Sequence, residues 1–203
     1  MFEDFKSDFY LPTEIFIKQD IHNSIGDVIK KHGSRIIIIT TSSDFELFQP
    51  YVENIYGSIR KVELNCIIYD EISPKPTTEE IDIAVSFIKK THCDLVIGFG
   101  GIESINAAKA ISILTTNYIF CHDLFTYPEI NYEPVKFVSV PAYPVNGFEI
   151  APLLYLTEIE NFEKLVYFNE ILYPKLTIID PEISLGIDEE MTMKTSISTL
   201  AIS

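Results

Sequence analysis

The glycine pair Gly100–Gly101 and the residues after it have types and spacing that suit a chemical task. The stretch DLVIGFGGIESINAAKAI, residues 94–111, predicts a buried strand, a tight turn and the first turns of a helix. Such a turn can hold a phosphate, because glycine lets backbone N–H groups approach an anion closely and the helix start adds partial positive charge. Glu103, however, places a carboxylate where the anion would have to lie.

The cysteines and histidines show no spacing that is typical of a metal site. The three cysteines have no C-x-x-C pattern, which predicts reduced and mostly buried thiols; they are Cys66, Cys93 and Cys121. The four histidines include no pair at i, i+3 or i+4, which excludes a metal site on one helix face and predicts surface or turn histidines; they are His22, His32, His92 and His122.

Bulk composition restricts the partners and the location. Fifteen basic against thirty acidic residues give a net charge of −15, which argues against binding to nucleic acid or to an anionic membrane surface. No apolar run approaches the roughly 20 residues of a membrane span. The start, MFEDFKSDFY, is acidic and has no apolar segment behind it, so we expect a cytoplasmic protein.

The elements that must position the turn alternate between helix and apolar strand over residues 20–120. A helix predicted for residues 21–33 precedes a strand at Arg35–Thr41 that is apolar on both faces. A less regular helix, interrupted by Pro50, leads to the strand VELNCIIYD, and a helix capped at Thr77 or Thr78 leads to the glycine turn. This rhythm predicts an α/β fold with a doubly wound parallel sheet whose switch point lies beside Gly100.

The remaining segments follow a different rhythm. After residue 135, KFVSVPAYP, APLLYLTE and KLTIIDPEI read as strands without long helices between them, which predicts added strands or a ribbon beside the parallel sheet. The last segment, DEEMTMKTSISTLAIS, begins like a capped helix and continues as an apolar stretch. At 203 residues we expect one domain and a stub.

Four stretches in register resemble the iron-containing (group III) alcohol dehydrogenases, relatives of glycerol dehydrogenase and dehydroquinate synthase. The stretches are YDEISPKPTTEEI, GGIESINAAKAI, VPAYPVNGFEIAP and EKLVYFNEILYPKLTIIDPEISLGI. The resemblance implies that residues 1–187 form a Rossmann-like domain that binds a nicotinamide dinucleotide. It also implies that residues 188–203 are the start of a C-terminal helical domain that is missing here.

The resemblance assigns a set of cofactor-binding positions, some kept and some changed. The set is Thr41, Gly100, Gly101, Glu103, Asn106, Lys109, Asn146, Gly147 and Lys164. Both glycines and Lys109 are kept, whereas Ile102 replaces a third glycine and Glu103 a phosphate-binding serine. Thr41 replaces an acid that binds the adenosine ribose, with Asp44 three residues later. Lys164 matches a lysine near the nicotinamide ribose, although an exposed salt-bridging lysine is an equal alternative.

The changes in the glycine turn predict poor dinucleotide binding. A β-branched residue such as Ile102 disfavours positive φ and fills space, and the Glu103 carboxylate repels a pyrophosphate. We therefore expect NAD or NADP to bind weakly if at all, and Ile102→Gly with Glu103→Ser to improve binding.

The metal site implied by the resemblance is also changed. Family members that bind iron or zinc use an aspartate and three histidines, but Ser198 stands at the aspartate and Ile202 at the first histidine. We therefore expect no metal in this chain, because a serine hydroxyl is a poor metal ligand and an isoleucine is none.

Three functions remain open at the level of the sequence. One is an inactive relative that serves as a binding or interaction module, as a homo-oligomer or with a second protein through residues 188–203. Another is an NAD(P)-dependent alcohol dehydrogenase whose helical metal-binding half is absent from this chain. The third is a metal-independent enzyme that uses the retained cleft.

Overall fold

A parallel sheet with helices on both faces forms the body of the protein. The structure, a computed structural model, describes residues 10–126, 130–158 and 163–202, so the acidic start on which the cytoplasmic prediction depends lies mostly outside the described residues. The strands are β1 (Glu14–Ile17), β2 (Arg35–Thr41), β3 (Asn65–Ile72), β4 (Leu95–Gly100), β5 (Lys136–Pro141), β6 (Leu153–Thr157), β7 (Lys164–Phe168) and β8 (Leu176–Ile179). The helices are α1 (Ile25–Ile29), α2 (Ser42–Lys61), α3 (Thr78–Ile88), α4 (Ile102–Thr116), α5 (Cys121–Thr126), α6 (Pro181–Ser184) and α7 (Glu189–Ile202).

The order of the strands confirms the predicted α/β fold. Six strands lie in the order β1-β8-β5-β4-β2-β3, and every neighbouring pair is parallel. The chain runs from β2 outward to β3 and then returns to the other side of β2 as β4. The order therefore reverses between β2 and β4, and the carboxyl end of β4 carries Gly100. This is the switch point where ligands bind in open α/β sheets.

The segments after residue 135 divide between two sheets. The prediction was added strands or a ribbon, and both occur: β6 and β7 form an antiparallel ribbon, whereas β5 and β8 extend the parallel sheet. β2 shows why the parallel sheet is stable, because Ile37 and Ile39 pack towards α3 and α4 while Ile36 and Ile38 pack towards α1 and α2. The apolar residues on both faces of β2 therefore join two separate cores.

The predicted helices differ from the observed ones in detail. The helix predicted for residues 21–33 is a 3-10 turn at Ile21–Asn23 followed by the short α1, which ends before Gly33. α2 continues through Pro50, but Phe48 has non-helical angles, because proline lacks an N–H and crowds the preceding turn. The predicted cap of α3 is confirmed at Thr77, which forms a capping box with Glu80.

One histidine lies in a turn, which the prediction of surface or turn histidines allows, but it is buried. His22 is buried, and its Nδ1 lies 2.6 Å from Oδ2 of Asp180, which also accepts a hydrogen bond from the His22 backbone N–H. The other Asp180 oxygen accepts from the N–H groups of Asp20 and Glu182. Although burial alone would raise it, these bonds lower the pKa of the Asp180 carboxyl. His22 is therefore part of a buried clamp that joins the 3-10 turn to α6.

The state of the three thiols and the character of the helices match the predictions of reduced, mostly buried cysteines and of no membrane-spanning segment. Cys66 and Cys121 are buried and Cys93 is half-buried, and all three are free thiols. Over the described residues, none of the helices has the length and apolar character that a bilayer crossing requires.

Candidate functional site at the glycine turn

The Gly101 N–H, the first backbone donor of the glycine turn, is already hydrogen-bonded to a carboxylate of the same chain. Gly100 ends β4 with a φ of 127°, and Gly101 is the N-cap residue of α4. The Gly101 N–H donates to Oδ2 of Asp44 at 2.8 Å, and the Ser104 hydroxyl donates to the same oxygen at 2.6 Å. Asp44 thus lies where the turn would present its amide to a phosphate.

The end of β2 explains why Asp44 reaches the turn. Thr41 is buried and caps α2, and its Oγ1 accepts the Asp44 N–H at 3.2 Å. The Thr41 N–H donates to Oγ of Ser104 at 2.9 Å, which ties β2 to α4. Because β2 and β4 are neighbours, the first turn of α2 projects Asp44 towards the glycines. Thr41 therefore positions a carboxylate and leaves no acid of its own for a ribose.

Tyr143, in the loop after β5, covers the same turn. A Cβ placed on Gly101 would collide with the Tyr143 hydroxyl, so the ring lies directly over the glycine. The hydroxyl is 3.5 Å from Oδ1 of Asp44. Burial, and then the charges of Asp44 and Glu103, raise the pKa of Tyr143, so that the hydroxyl stays protonated. The turn is thus closed by a phenol as well as by a carboxylate.

Glu103 adds a second acidic group beside the turn. Burial, followed by the neighbouring Asp44, raises the pKa of the Glu103 carboxyl, while its own backbone N–H and Lys164 oppose this. Glu103 in turn contributes, after burial, to a pKa of about 12 for Tyr155 on β6. Lys164 is the nearest balancing charge; its Nζ donates to Thr157 at 2.9 Å and lies 4.9 Å from the centre of the Tyr155 ring. The cleft is therefore acidic, with one exposed lysine at its margin.

Ile102 acts differently from the expectation. The positive φ of the turn falls on Gly100, whereas Ile102 begins α4 with ordinary helical geometry. Its side chain packs against the core cluster on the α3 and α4 face of the sheet. The expected conflict with positive φ is therefore wrong, and the side chains that lie at the turn are those of Asp44, Glu103 and Tyr143.

Lys109 is buried, and its ammonium holds the segment that leads into β6. Its Nζ donates to the carbonyl oxygens of Phe148, Ala151 and Leu153 at 2.7, 2.7 and 2.8 Å. Burial lowers the pKa of Lys109 to about 7, against the opposing effect of Glu149. One turn earlier, Oδ1 of Asn106 accepts the Tyr155 N–H at 3.3 Å, while its Nδ2 has no partner among the described residues.

The loop that contains Asn146 and Gly147 contacts the C-terminal helix α7. Asn146 and Gly147 have φ values of 58° and 86°, so the loop turns through two consecutive left-handed residues. Nδ2 of Asn146 donates to the Ser198 hydroxyl at 2.8 Å, and the Thr199 hydroxyl donates to Oδ1 of Asn146 at 2.6 Å. Ser198, at the position of the expected metal-binding aspartate, is thus a loop contact. Within the described residues no three histidine, cysteine or acidic side chains are grouped as a metal site requires.

Sequence reasoning placed Thr41, both glycines and Glu103 at one site but missed two groups that fill it. Asp44 appeared only as an acid three residues beyond a ribose position, although a Thr-x-x-Asp cap after a strand next to β4 is a usable signal. Tyr143 lies within VPAYPVNG, one of the stretches that carry the resemblance, but no signal in the sequence indicated that its ring would cover Gly101.

Comparisons with known proteins agree with this architecture. A family model described as "Iron-containing alcohol dehydrogenase" matches residues 12–181. The NAD-dependent methanol dehydrogenase of Bacillus methanolicus is 23% identical over 195 residues, which are 96% of this chain and 51% of that protein. The NADH-dependent butanol dehydrogenase A of Clostridium acetobutylicum is 22% identical over 91% of this chain and 47% of its own.

A solved structure shows the same fold. The iron-containing alcohol dehydrogenase of Thermotoga maritima superimposes with a TM-score of 0.84 and 24% identity, over 94% of this chain and 52% of that one. The chain thus spans about half the length of the relatives it matches.

Proposed function

The chain belongs to the iron-containing alcohol dehydrogenase family, and from that premise we propose that it is a degenerate member without dehydrogenase activity that serves as a binding or interaction module. The observation that carries the proposal is the Asp44 carboxylate on the Gly101 N–H. A relative that uses this turn for a pyrophosphate needs the same N–H free. In this chain it is already occupied.

The charges of the two carboxylates support the proposal that NAD and NADP bind only weakly. Asp44 and Glu103 would both lie near a pyrophosphate that carries negative charge. Two unit charges about 6 Å apart at an effective dielectric constant of about 20 repel by roughly 3 kcal/mol. Since 1.4 kcal/mol is about tenfold in affinity, either carboxylate alone costs a dinucleotide more than tenfold.

The proposed absence of a catalytic metal rests on the donor set. Ser198 offers a neutral hydroxyl that already accepts a hydrogen bond from Asn146. Iron and zinc sites in proteins rely on imidazole, carboxylate or thiolate ligands. The described residues hold no cluster of three such ligands, so a metal that polarises an alcohol oxygen would need ligands from beyond them.

An activity assay tests the proposal. We expect the chain, supplied with NAD or NADP, a primary alcohol and iron or zinc, to form no reduced cofactor above the rate without protein. The methanol dehydrogenase of Bacillus methanolicus, assayed alongside, is the positive control. Turnover that requires the chain, together with stoichiometric bound metal by elemental analysis, would overturn the proposal.

One alternative has an observation in its favour. Because the chain spans about half of its relatives, the helical metal-binding half of an NAD(P)-dependent alcohol dehydrogenase could lie beyond it. The reading frame past Ser203 separates the two functions. A histidine-bearing helical region there, with activity in the longer chain, favours the dehydrogenase.

We further propose that the chain associates through residues 188–203. Met193 and Ile197 on α7 are 58% and 61% exposed, and exposed apolar residues on one element often mark an interface. Light scattering should give an oligomer, or a complex with a second protein, that dissociates in a chain ending at Gly186 and weakens in Ile197→Ser. The exposed Thr192→Ser on the same helix is the matched control. A monomer in the original protein, the shortened chain and both variants would contradict this proposal.

A further inference from the structure

The two arginines of the sequence, Arg35 and Arg60, line the same cavity. The cavity has a volume of about 320 Å³, and its other polar or thiol-bearing walls are Asn65, Thr91, Cys66 and Cys93. Arg35 begins β2 and Asn65 begins β3, so the cavity lies at the amino ends of the strands. The glycine turn follows the carboxyl end of β4, at the opposite edge of the sheet.

Local contacts hold the Arg60 guanidinium at this edge, and the start of β2 places Arg35 at the same edge. Arg60, in the last turn of α2, donates from Nη1 to the Leu64 carbonyl at 3.3 Å and to Oδ1 of Asn65 at 3.4 Å. Arg35 pairs with Asn65 in the register of β2 and β3. Its guanidinium makes no hydrogen bond or ion pair with any side chain in the described part of the protein. One arginine is thus fixed, and the other has its donors available.

The nearby acid does not neutralise the cavity. Oδ1 of Asp94 accepts the N–H groups of Ser34 and Arg35, and its Oδ2 accepts the Ser34 hydroxyl, all at 2.8 Å. These bonds outweigh burial and lower the pKa of the Asp94 carboxyl, so it stays ionised but is turned towards the backbone. It reduces the charge of the site from two towards one without filling it.

The thiols in the wall remain neutral. Burial raises the pKa of Cys66 to about 12, despite the nearby Arg60. Burial also raises the pKa of Cys93, while Arg35 acts weakly in the other direction. Neutral thiols neither compete with an anion for the guanidinium groups nor act as nucleophiles at neutral pH.

We propose that this cavity binds a small phosphomonoester. Two arginines that line one cavity can offer forked donors that match the oxygens of a phosphate. The volume is at the lower end of small-ligand sites, which suits a phosphate with a short organic group. In a protein of net charge −15, such a site attracts a dianion only through local charge. The proposal is independent of the glycine turn and of the absence of dehydrogenase activity.

Calorimetric titration with phenyl phosphate tests the proposal, with inorganic phosphate and benzoate as comparison ligands. We expect saturable binding of phenyl phosphate with a dissociation constant of about 1 mM or lower, and weaker binding of benzoate. Arg35→Gln with Arg60→Gln should weaken it at least tenfold. Lys30→Gln with Lys31→Gln removes the same charge from an exposed site and should change affinity less than twofold.

Three outcomes would overturn the proposal. The first is no saturable binding of phenyl phosphate. The second is an equal loss of affinity in the double arginine and double lysine variants. The third is benzoate binding as tightly as phenyl phosphate. Both arginines are exposed, so the glutamine variants should keep their thermal unfolding midpoint, which is measured on the same samples.

Discussion

Lys109→Met is expected to lower the free energy of unfolding by about 2–4 kcal/mol. The substitution leaves the carbonyl oxygens of Phe148, Ala151 and Leu153 without their donor, and a buried unsatisfied polar group costs about 1–3 kcal/mol. Removal of a desolvated ammonium offsets part of this loss. Urea unfolding measures the difference. Lys164→Met, at the exposed first position of β7, is the matched control and should cost less than about 1 kcal/mol.

The pH dependence of Lys109 gives the same prediction a second readout. Burial lowers the pKa of this lysine to about 7 in the folded protein, below the ordinary value of 10.5. Between these values the unfolded chain binds more protons than the folded one, so stability rises with pH. The stability of the original protein minus that of Lys109→Met should therefore increase from pH 7 to pH 9. A flat or falling difference, or a Lys109→Met variant as stable as the original, would contradict the buried position of this ammonium.

Stepwise removal of the groups that fill the glycine turn is expected to create dinucleotide affinity. Ile102→Gly with Glu103→Ser removes one carboxylate but leaves Asp44 on the Gly101 N–H, so the gain should be about tenfold. Addition of Asp44→Asn with Tyr143→Thr removes the second charge and the covering ring. A further gain of about tenfold or more should follow.

A matched substitution distinguishes this local effect from a change in total charge. Glu79 is exposed and is the second residue of α3, just as Glu103 is the second residue of α4. Glu79→Ser should leave the affinity for NAD unchanged. If Glu79→Ser gains as much affinity as Ile102→Gly with Glu103→Ser, long-range charge rather than the turn limits binding. If the variant that carries all four substitutions gains no affinity for NAD, the turn is not what limits binding.

The fold was largely predictable because its signals are local. The run of isoleucines in β2, the Thr77 cap and the glycines after β4 each lie within one element, and they correctly predicted a parallel sheet with its switch point at Gly100. Added strands or a ribbon were predicted after residue 135, but not which segments join the parallel sheet and which form the ribbon, because strand pairing depends on contacts between distant segments.

The site was less predictable for the same reason. Asp44 meets Gly101 across 57 positions, and His22 meets Asp180 across 158, so neither pair is visible in a local pattern. The resemblance marked Glu103 as a change in the turn. It could not show that the first donor of the turn was already occupied, since this depends on the α2 cap at Thr41 and on the adjacency of β2 and β4.

Calorimetric titration of the unmodified protein with NAD tests the central claim most directly. The methanol dehydrogenase of Bacillus methanolicus serves as the reference for a relative described as NAD-dependent. With Asp44 on the Gly101 N–H and Glu103 beside it, we predict no saturable heat of binding up to a free NAD concentration of about 1 mM. Saturable binding with a micromolar dissociation constant would contradict the account.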